Sequence, residues 1–444
     1  MPKTLYIPVE TASRELDGKI LLALHASAKG HNVVLGNRSM LSNVMHRFEP
    51  GIFLTHNFNR KRRRFLKILR QLGHQIVGLD EEGLVSLNDE SYLHRRVDAQ
   101  AIGCLDTIFA WGEEHAAVLA SVVNKQSVKI SAAGNPRADL LQSPLREIYR
   151  SRAEKLQEEY GKFILINSNF GILNFALSQG SGDGEKTDAE LCELARKYRF
   201  PEGFFKFRYA VYRAFVELLP ELSARFPDRQ IIIRPHPSEN PSAWKAASKG
   251  LENIHVHYDA ELIPWLLAAD AVIHNGCTTA LETAILGKPA IMYRPVDGGE
   301  FEIRQPMRVS ILADTPESLF DIIENTKSGN ETIRQELKQL VSGLDGLTSS
   351  ELIINTISAM PQGMPTNNLS RLVGKTRSVW RAGERAVRRQ SKSSLANSDY
   401  VDHKFPPTSA HDISAIITDF AQRLDMPVPK VTELSDRIFK IGKM

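Results

Sequence analysis

Arg229-Gln-Ile-Ile-Ile-Arg234-Pro235-His236-Pro237-Ser-Glu239, followed further on by Ala271-Val-Ile-His274-Asn275-Gly276-Cys277-Thr278-Thr279-Ala-Leu-Glu282, is the stretch that decides the fold. Two apolar, β-branched runs, 231–233 and 271–273, have the length and composition of buried parallel strands. Each ends in polar residues of the kind a strand's carboxyl end offers to a ligand. The first run delivers Arg234, His236 and Glu239. Two prolines bracket the histidine, fix φ on both sides and bar helix, so the imidazole sits on a stiff loop. The second run delivers Asn275, Gly276, Thr278 and Thr279 and then a helix. Gly276 permits a tight turn. A threonine cap on that helix would leave free N–H groups for an anion. Glu282, one turn in, is placed to accept from ribose hydroxyls. Ligands of open α/β sheets bind outside the strand carboxyl ends, so both loops are expected to line one pocket.

Working outward, strand and helix alternate. Strand runs fall at 5–9, 32–35, 51–55, 75–79, 107–111 and 128–131, with helices at 15–29, 39–47, 60–72, 89–101 and 113–123. In the first helix Leu16, Ile20, Leu24 and Ala28 recur at helical spacing and Gly30 closes it. A proline-stiffened loop at 133–140 ends this half. A second series starts at 163–166 and ends in Asn167-Ser-Asn169-Phe-Gly171, a third polar strand end, with a further strand at 289–293. Helices are expected at 144–160, 204–226, 315–327 and 331–340. The glycine- and charge-rich stretch 179–187 reads as a mobile loop. The expected fold class is therefore α/β, with two Rossmann-like domains facing a cleft in the GT-B arrangement and a helical C-terminal extension. Their expected bounds are 1–143 (acceptor side), 144–345 (donor side) and 346–444. No glycine-rich dinucleotide fingerprint follows the first strand, which argues against a nicotinamide cofactor.

Composition narrows the class. The chain has 444 residues, too long for one ordinary core, and its 42% hydrophobic and 24% charged content is that of a globular protein. A net charge of +4 is small for this length and gives no sign of a nucleic-acid partner. The three cysteines, Cys104, Cys192 and Cys277, are too scattered for a disulfide framework or a metal site. A cytoplasmic setting is expected: the first residues read as a strand rather than a signal peptide, and no apolar run is long enough to span a bilayer.

The tail is different in kind. Residues 368–390 carry Arg371, Lys375, Arg377, Arg381, Arg385, Arg388 and Arg389 against the single acid Glu384. Leu369, Val373, Trp380 and Val387 fall near one face. Such a basic amphipathic helix suits an anionic membrane surface, on the inner face of the membrane. The competing reading is a helix packed across the two domains with a solvated basic side. Residues 391–397 read as a polar linker, His403-Lys404-Phe405-Pro406 as a lead-in, and 411–424 as a return helix.

At Tyr6–Glu10 with Arg14–Asp17, Trp111–Glu114, Gly134–Arg137, Asn169–Gly171, Arg234–Glu239 and His274–Thr279 the chain resembles a bacterial family of surface carbohydrate biosynthesis proteins. That family is related to GT-B transferases of CMP-activated keto-sugars, among them retaining β-Kdo transferases and bacterial sialyltransferases. The resemblance implies that His236-Pro237 and Thr278-Thr279 hold the CMP phosphate. It also implies Kdo or a related nonulosonic acid as the transferred sugar, for cell-envelope polysaccharide. The family's aspartate nucleophile has no clear counterpart: Asp183, Asp188 and Glu202 lie in the region without a surrounding motif.

The chemistry asks for two things. The leaving phosphate must be stabilised, a task for His236, Arg234 and the helix start at Thr278 and Thr279. The acceptor hydroxyl must be deprotonated, and Glu10, Glu15 and Glu113 are the candidate carboxylates on first-half strand ends. Arg14 is placed to clamp the donor's own carboxylate. Asn169, Glu239, Asn275, Gly276 and Glu282 complete the expected donor site. No metal or other cofactor is expected, since no Asp-x-Asp follows a strand. The partners expected are a nucleotide-sugar donor and a glycan or lipid-linked glycan acceptor. Two other readings remain: a CDP-polyol phosphotransferase of the teichoic-acid type, and a non-catalytic scaffold of polysaccharide assembly.

Overall fold

The computed structural model describes the chain except for residues 124–127, 179–185, 237, 258–260, 326–330, 364–365, 390–401, 403 and 443–444. Pro237, Asp183, His403, the linker 391–397 and most of the 179–187 loop thus lie outside the described residues.

The chain forms two compact units, one of residues 1–148 and 338–444, the other of residues 149–337. The first unit holds β1 (Thr4–Val9), β2 (Asn32–Asn37), β3 (Ile52–Thr55), β4 (Gln75–Leu79), β5 (Thr107–Ala110) and β6 (Lys129–Ala132). These six are parallel, in the order β2-β1-β3-β4-β5-β6. The order reverses between β1 and β3, which makes their carboxyl ends the ligand position of this sheet.

The second unit holds β7 (Phe163–Asn167), β8 (Gln230–Arg234), β9 (Ile254–Val256), β10 (Ala271–His274), β11 (Ala290–Tyr293) and β12 (Ile311–Ala313). All pairings are parallel and the order is β12-β11-β10-β7-β8-β9. Counted from β7 this is the doubly wound order 3-2-1-4-5-6, with the switch between β7 and β10. The central strands are buried end to end: Ile164, Ile231 and Ile273 are fully enclosed, as β-branched runs covered on both faces should be. Phe205, Phe215 and Leu219 of the long helix Phe204–Arg225 pack on them. The α/β class with two Rossmann-like domains thus holds.

The tail departs from expectation. It is no separate helical segment, because residues from 338 onward belong to the first unit. After the helix Ala410–Arg423 the chain forms a hairpin of β13 (Lys430–Ser435) and β14 (Ile438–Gly442), and β14 extends the first sheet antiparallel to β2. Arg437, at φ 54°, turns the hairpin. The division also falls near 148 and 337 rather than 143 and 345. Part of the reason is Asp139, which reaches across the sequence to accept from the N–H groups of Ser349 (2.9 Å) and Ser350 (2.8 Å). That carboxylate ties the start of the helix Ser349–Ala359 to the first unit.

The basic helix runs Asn368–Arg389 and packs on the helices Arg63–Leu72 and Arg38–Val44, all within the first unit. Its packed side is the one carrying Gly374 and the buried Ser378. A Cβ at Gly374 would sit 2.9 Å from Cβ of Gln71, so the close approach requires glycine. This corrects the reading of a helix bridging two domains.

Candidate functional site

In the second unit three strand ends stand side by side, with Asn167 in register with both Arg234 and His274. The loops that follow are knitted together by one buried carboxylate. Glu239 Oε1 accepts from the N–H groups of Phe170 (2.8 Å) and His236 (3.1 Å), and Oε2 accepts from Trp244 Nε1 (2.9 Å). Ser168 Oγ donates to the same group, at 3.0 and 2.9 Å from its two oxygens. Glu239 was expected to touch the donor. Its lone pairs are occupied by the protein, so its work is to hold two loops in one geometry.

His236 is half-buried on this frame. Ser238 N–H donates to its Nδ1 (3.1 Å), so the neutral ring carries its proton on Nε2. The loop also presses on the helix Gly171–Ser178: a Cβ at Gly171 would lie 1.8 Å from Ser238 Oγ and 3.4 Å from His236 Nδ1. Glycine there lets the third polar strand end approach the histidine.

The β7 and β10 loops are tied directly. Asn275 Oδ1 accepts from Asn169 N–H (2.8 Å), and Asn169 Nδ2 donates to the Gly276 carbonyl (3.1 Å). Gly276 has φ 87°, the left-handed turn its position demanded. Asn275 Nδ2 and Asn167 Oδ1 are buried and lack a hydrogen-bond partner among the described residues. Two orphaned amide atoms at a topological switch point mark a place for a polar ligand.

Four expected roles need correction. Neither threonine caps its helix as foreseen: Thr278 makes no side-chain cap bond, and Thr279 Oγ1 accepts from Asn167 Nδ2 (3.3 Å). The Ala280 N–H donates to the Cys277 carbonyl (3.2 Å), and burial pushes the Cys277 thiol up. Arg234 donates to the Glu261 carbonyl (2.8 Å) and stacks on Trp265 at 5.7 Å, so at least part of its guanidinium is committed to the protein. Arg14 lies in the first unit in an exposed pair with Glu82 (3.7 Å), the weakest class of ion pair. Glu282 is half-buried, one turn into the helix Thr279–Ile285.

Sequence reasoning missed Arg208, which is buried on the long helix. It donates to the Asn169 carbonyl and lies over the Phe170 ring at 5.1 Å. Burial lowers its pKa to about 10, opposed by the charge of Glu239. Nothing in a helix of mixed aromatic and basic residues singles out this arginine.

The three first-unit carboxylates have different fates. Burial works against ionisation of Glu10, yet the bond from His56 and the charges of Arg38 and Arg62 outweigh it and hold the carboxyl at about 2. Such a group is a poor base near neutral pH. Glu113 is exposed at the start of the helix Glu113–Ala120. Glu15 is buried and accepts from the N–H groups of Glu10 (3.1 Å) and Thr11 (3.3 Å). Burial, and then the charge of Glu81, push it up to about 7. Burial disfavours the Glu81 charge too, but Lys19 and Arg137 hold that carboxyl low. Two acids driven apart beside a buried lysine is the pattern of an acid–base pair. Lys19 and Glu81 escaped notice because a lysine inside a helix and one acid of an Asp80-Glu81-Glu82 run look like solvated charge. Asp188 pairs with Lys206 (2.6 Å) at an exposed position, and Glu202 is exposed.

No protein-family model matches the chain, and no curated protein does. Solved structures are similar in fold. UDP-GlcNAc 2-epimerase from Methanocaldococcus jannaschii superposes with a TM-score of 0.51 at 13% identity, over 81% of this chain and 100% of that one. The enzyme of that name from Neisseria meningitidis, bound to UDP-GlcNAc, gives 0.46 at 15% identity, over 81% and 100%. The wall teichoic acid polymerase TagF gives 0.40 at 10% identity, over 69% and 71%. What the chain shares with the first of these is the GT-B class of fold: two Rossmann-like α/β domains built on parallel sheets.

Proposed function

We propose that the protein is a carbohydrate-biosynthesis enzyme that binds a nucleotide-activated sugar in its second unit, and that it transfers a keto-sugar acid from a CMP-activated donor. The observation that carries this reading is the convergence of the β7, β8 and β10 loops. His236, with its proton on Nε2, stands on one of these loops, and the orphaned amides of Asn167 and Asn275 lie on the strand ends and loops tied to it. A phosphate leaving group accepts from the imidazole Nε2–H, and the buried amides read the nucleotide's polar edge. Glu239 and Arg208 hold the loops still, so the donors are fixed before charge develops. In the first unit Glu15, with its pKa near neutrality, suits the removal of an acceptor proton better than Glu10 or Glu113. Among the described residues no His, Cys, Asp and Glu group is arranged to hold a metal ion.

Calorimetry with CMP, CDP and UDP tests the donor class. CMP should bind the wild-type chain, and His236→Ala should weaken it by about tenfold or more, the value of one charge-assisted hydrogen bond. Preference for CDP would favour polyol-phosphate transfer, and no binding of any nucleotide would favour a scaffold.

The same proposal includes attachment to an anionic membrane surface. Among the described residues no helix is long and apolar enough to cross a membrane. On the basic helix, however, Leu369, Leu372, Val379, Trp380 and Val387 are each more than half exposed and share one outward stripe. Val373, expected on that face, is half-buried. Lys375 and Arg377 flank the stripe in solvent, and Lys61, Arg64 and Lys67 are exposed on the neighbouring elements. An apolar stripe turned outward between cations matches a surface of anionic headgroups over acyl chains.

A further inference from the structure

At the carboxyl ends of β1 and β3, where the first sheet changes direction, positive charge accumulates around one buried arginine. Arg62, at the end of the short turn Arg60–Arg62, is 7% exposed. Its Nε and Nη2 are buried and find no hydrogen-bond partner among the described residues. Its guanidinium lies 4.9 Å from the centre of the Phe65 ring. Arg381, from the helix Asn368–Arg389, lies 4.4 Å from the centre of that same ring. One turn on, Arg385 reaches Asn43 Oδ1 at 3.4 Å. Arg38 Nη1 meets Glu10 Oε1 at 3.0 Å, and His56 Nε2 meets Glu10 Oε2 at 2.9 Å.

The electrostatics follow from this crowding. Burial, and then the charges of Arg38, Arg381 and Arg385, drive Arg62 well below its ordinary pKa, and Glu10 is the acid that opposes them. Burial, and then the charges of Arg385, Arg64 and Arg38, bring Arg381 down to about 9, with Glu384 opposing them. His56 is held neutral, at about 3, by burial. Three guanidiniums thus crowd the buried Arg62, with Glu10 the acid that faces it and Glu384 the one that faces Arg381. An arginine does not escape such a place by losing its proton at neutral pH. A buried cation with unused fork donors is costly to a fold unless an anion completes it.

We propose that Arg38, Arg62, Arg381 and Arg385 form a binding site for a phosphate group of at least two negative charges, a phosphomonoester or a pyrophosphate. The chemistry selects phosphate because guanidinium forks match its oxygens, and several cations near one another favour a multiply charged anion. The position agrees, since ligands of sheets ordered 2-1-3-4-5 bind at the β1/β3 switch. Glu10 becomes a positioning residue that aims Arg38 and holds His56. The tail helix gains a role that its sequence hid, because its outward stripe is apolar while Arg381 and Arg385 on its inner side complete the site. Phosphate capture stands on the first unit alone; that this phosphate belongs to the acceptor rests on the transferase reading.

The test uses the full chain, with pyrophosphate and inorganic phosphate as soluble probes and phosphatidylcholine vesicles containing phosphatidic acid as the lipid probe. Pyrophosphate should raise the Tm of the wild-type protein by about 3 °C or more at saturation. Arg62→Met should raise the Tm without ligand, because the unpaired cation is gone, and should abolish the pyrophosphate response. Arg381→Met, on a separate and more accessible element, should weaken pyrophosphate by about tenfold. CMP binding in the second unit should survive both substitutions, so failure of the donor reading and failure of this one remain distinct. A pyrophosphate response lost in Arg62→Met assigns the site to soluble phosphates, and vesicle capture lost in Arg62→Met assigns it to a lipid headgroup. An equal response in wild type and both variants, or none to any probe, overturns the site. So does a lower Tm for ligand-free Arg62→Met accompanied by an unchanged pyrophosphate affinity in Arg381→Met.

Discussion

Glu239→Gln separates a loop-holding carboxylate from a ligand-binding one. In the folded protein Glu239 Oε1 accepts from Phe170 N–H and His236 N–H, and Oε2 from Trp244 Nε1, with Ser168 Oγ donating between them. Glutamine has the same shape but only one accepting oxygen. If that oxygen takes the Oε1 position, the amide NH2 faces the indole N–H, donor against donor. Trp244 is fully buried, so its N–H loses its partner with no water to replace it. The lost partner costs about 1–3 kcal/mol, and the loss of charge from the remaining bonds brings the total to roughly 3–5 kcal/mol. For a unit of this size 1 kcal/mol is about 2–4 °C, so the second unit's thermal transition should fall by roughly 10 °C. Differential scanning calorimetry of the full chain resolves that transition, and CMP titration below it reports the loops. Were Glu239 a ribose ligand, the substitution would weaken CMP and leave the Tm nearly unchanged. A fall of less than about 3 °C together with lost nucleotide binding refutes the loop-holding argument.

Two further outcomes are expected. Replacing both Leu372 and Trp380 by Asp should leave the Tm unchanged, because both are exposed, yet cost at least about 2 kcal/mol of vesicle binding, a factor of about thirty. Sedimentation with phosphatidylglycerol vesicles reads this, and undiminished binding removes the stripe from any membrane role. Acid should also destabilise the fold through its buried imidazoles. Burial holds His56 and His274 at about 3 and His74 and His115 at about 4, so their contribution is complete above 6.5, starts to fall as pH drops below that value, and is fully lost only below the folded values of about 3–4. Glu10, held at about 2, adds a second loss below 4.5. Glu15 and Asp139, raised to about 7 and 6, act oppositely, since their penalty is complete above those values and is relieved on acidification. Summed at pH 5, unfolding should take up roughly two protons. Calorimetry in buffers of different ionisation enthalpy measures that number, and net proton release would contradict the assignment.

The sequence by itself determined the class of fold and the place where the second unit's loops converge. Runs such as 231–233 and 271–273 suit only strands covered on both faces, and alternation with helices requires a parallel sheet. The bracketed His236 and the left-handed Gly276 were legible because prolines and glycines act on their own backbone. The strands β9 and β12 were not, since three residues at a sheet edge carry too little pattern. The hairpin at 430–442 also escaped, because its partner β2 lies some four hundred residues earlier in the chain. Roles that depend on who stands next to whom were decided by the tertiary structure alone. Glu239 became a tie between loops, Thr279 Oγ1 accepted from Asn167 instead of capping its helix, and Glu10 was fixed as an anion by Arg38 and His56. The tail helix shows why: its periodicity revealed an apolar stripe and a basic face, but only packing against Gln71 and Phe65 settled which face turns inward. Local pattern fixes how a segment folds, whereas the charge and hydrogen-bond partners of a buried group come from distant parts of the chain.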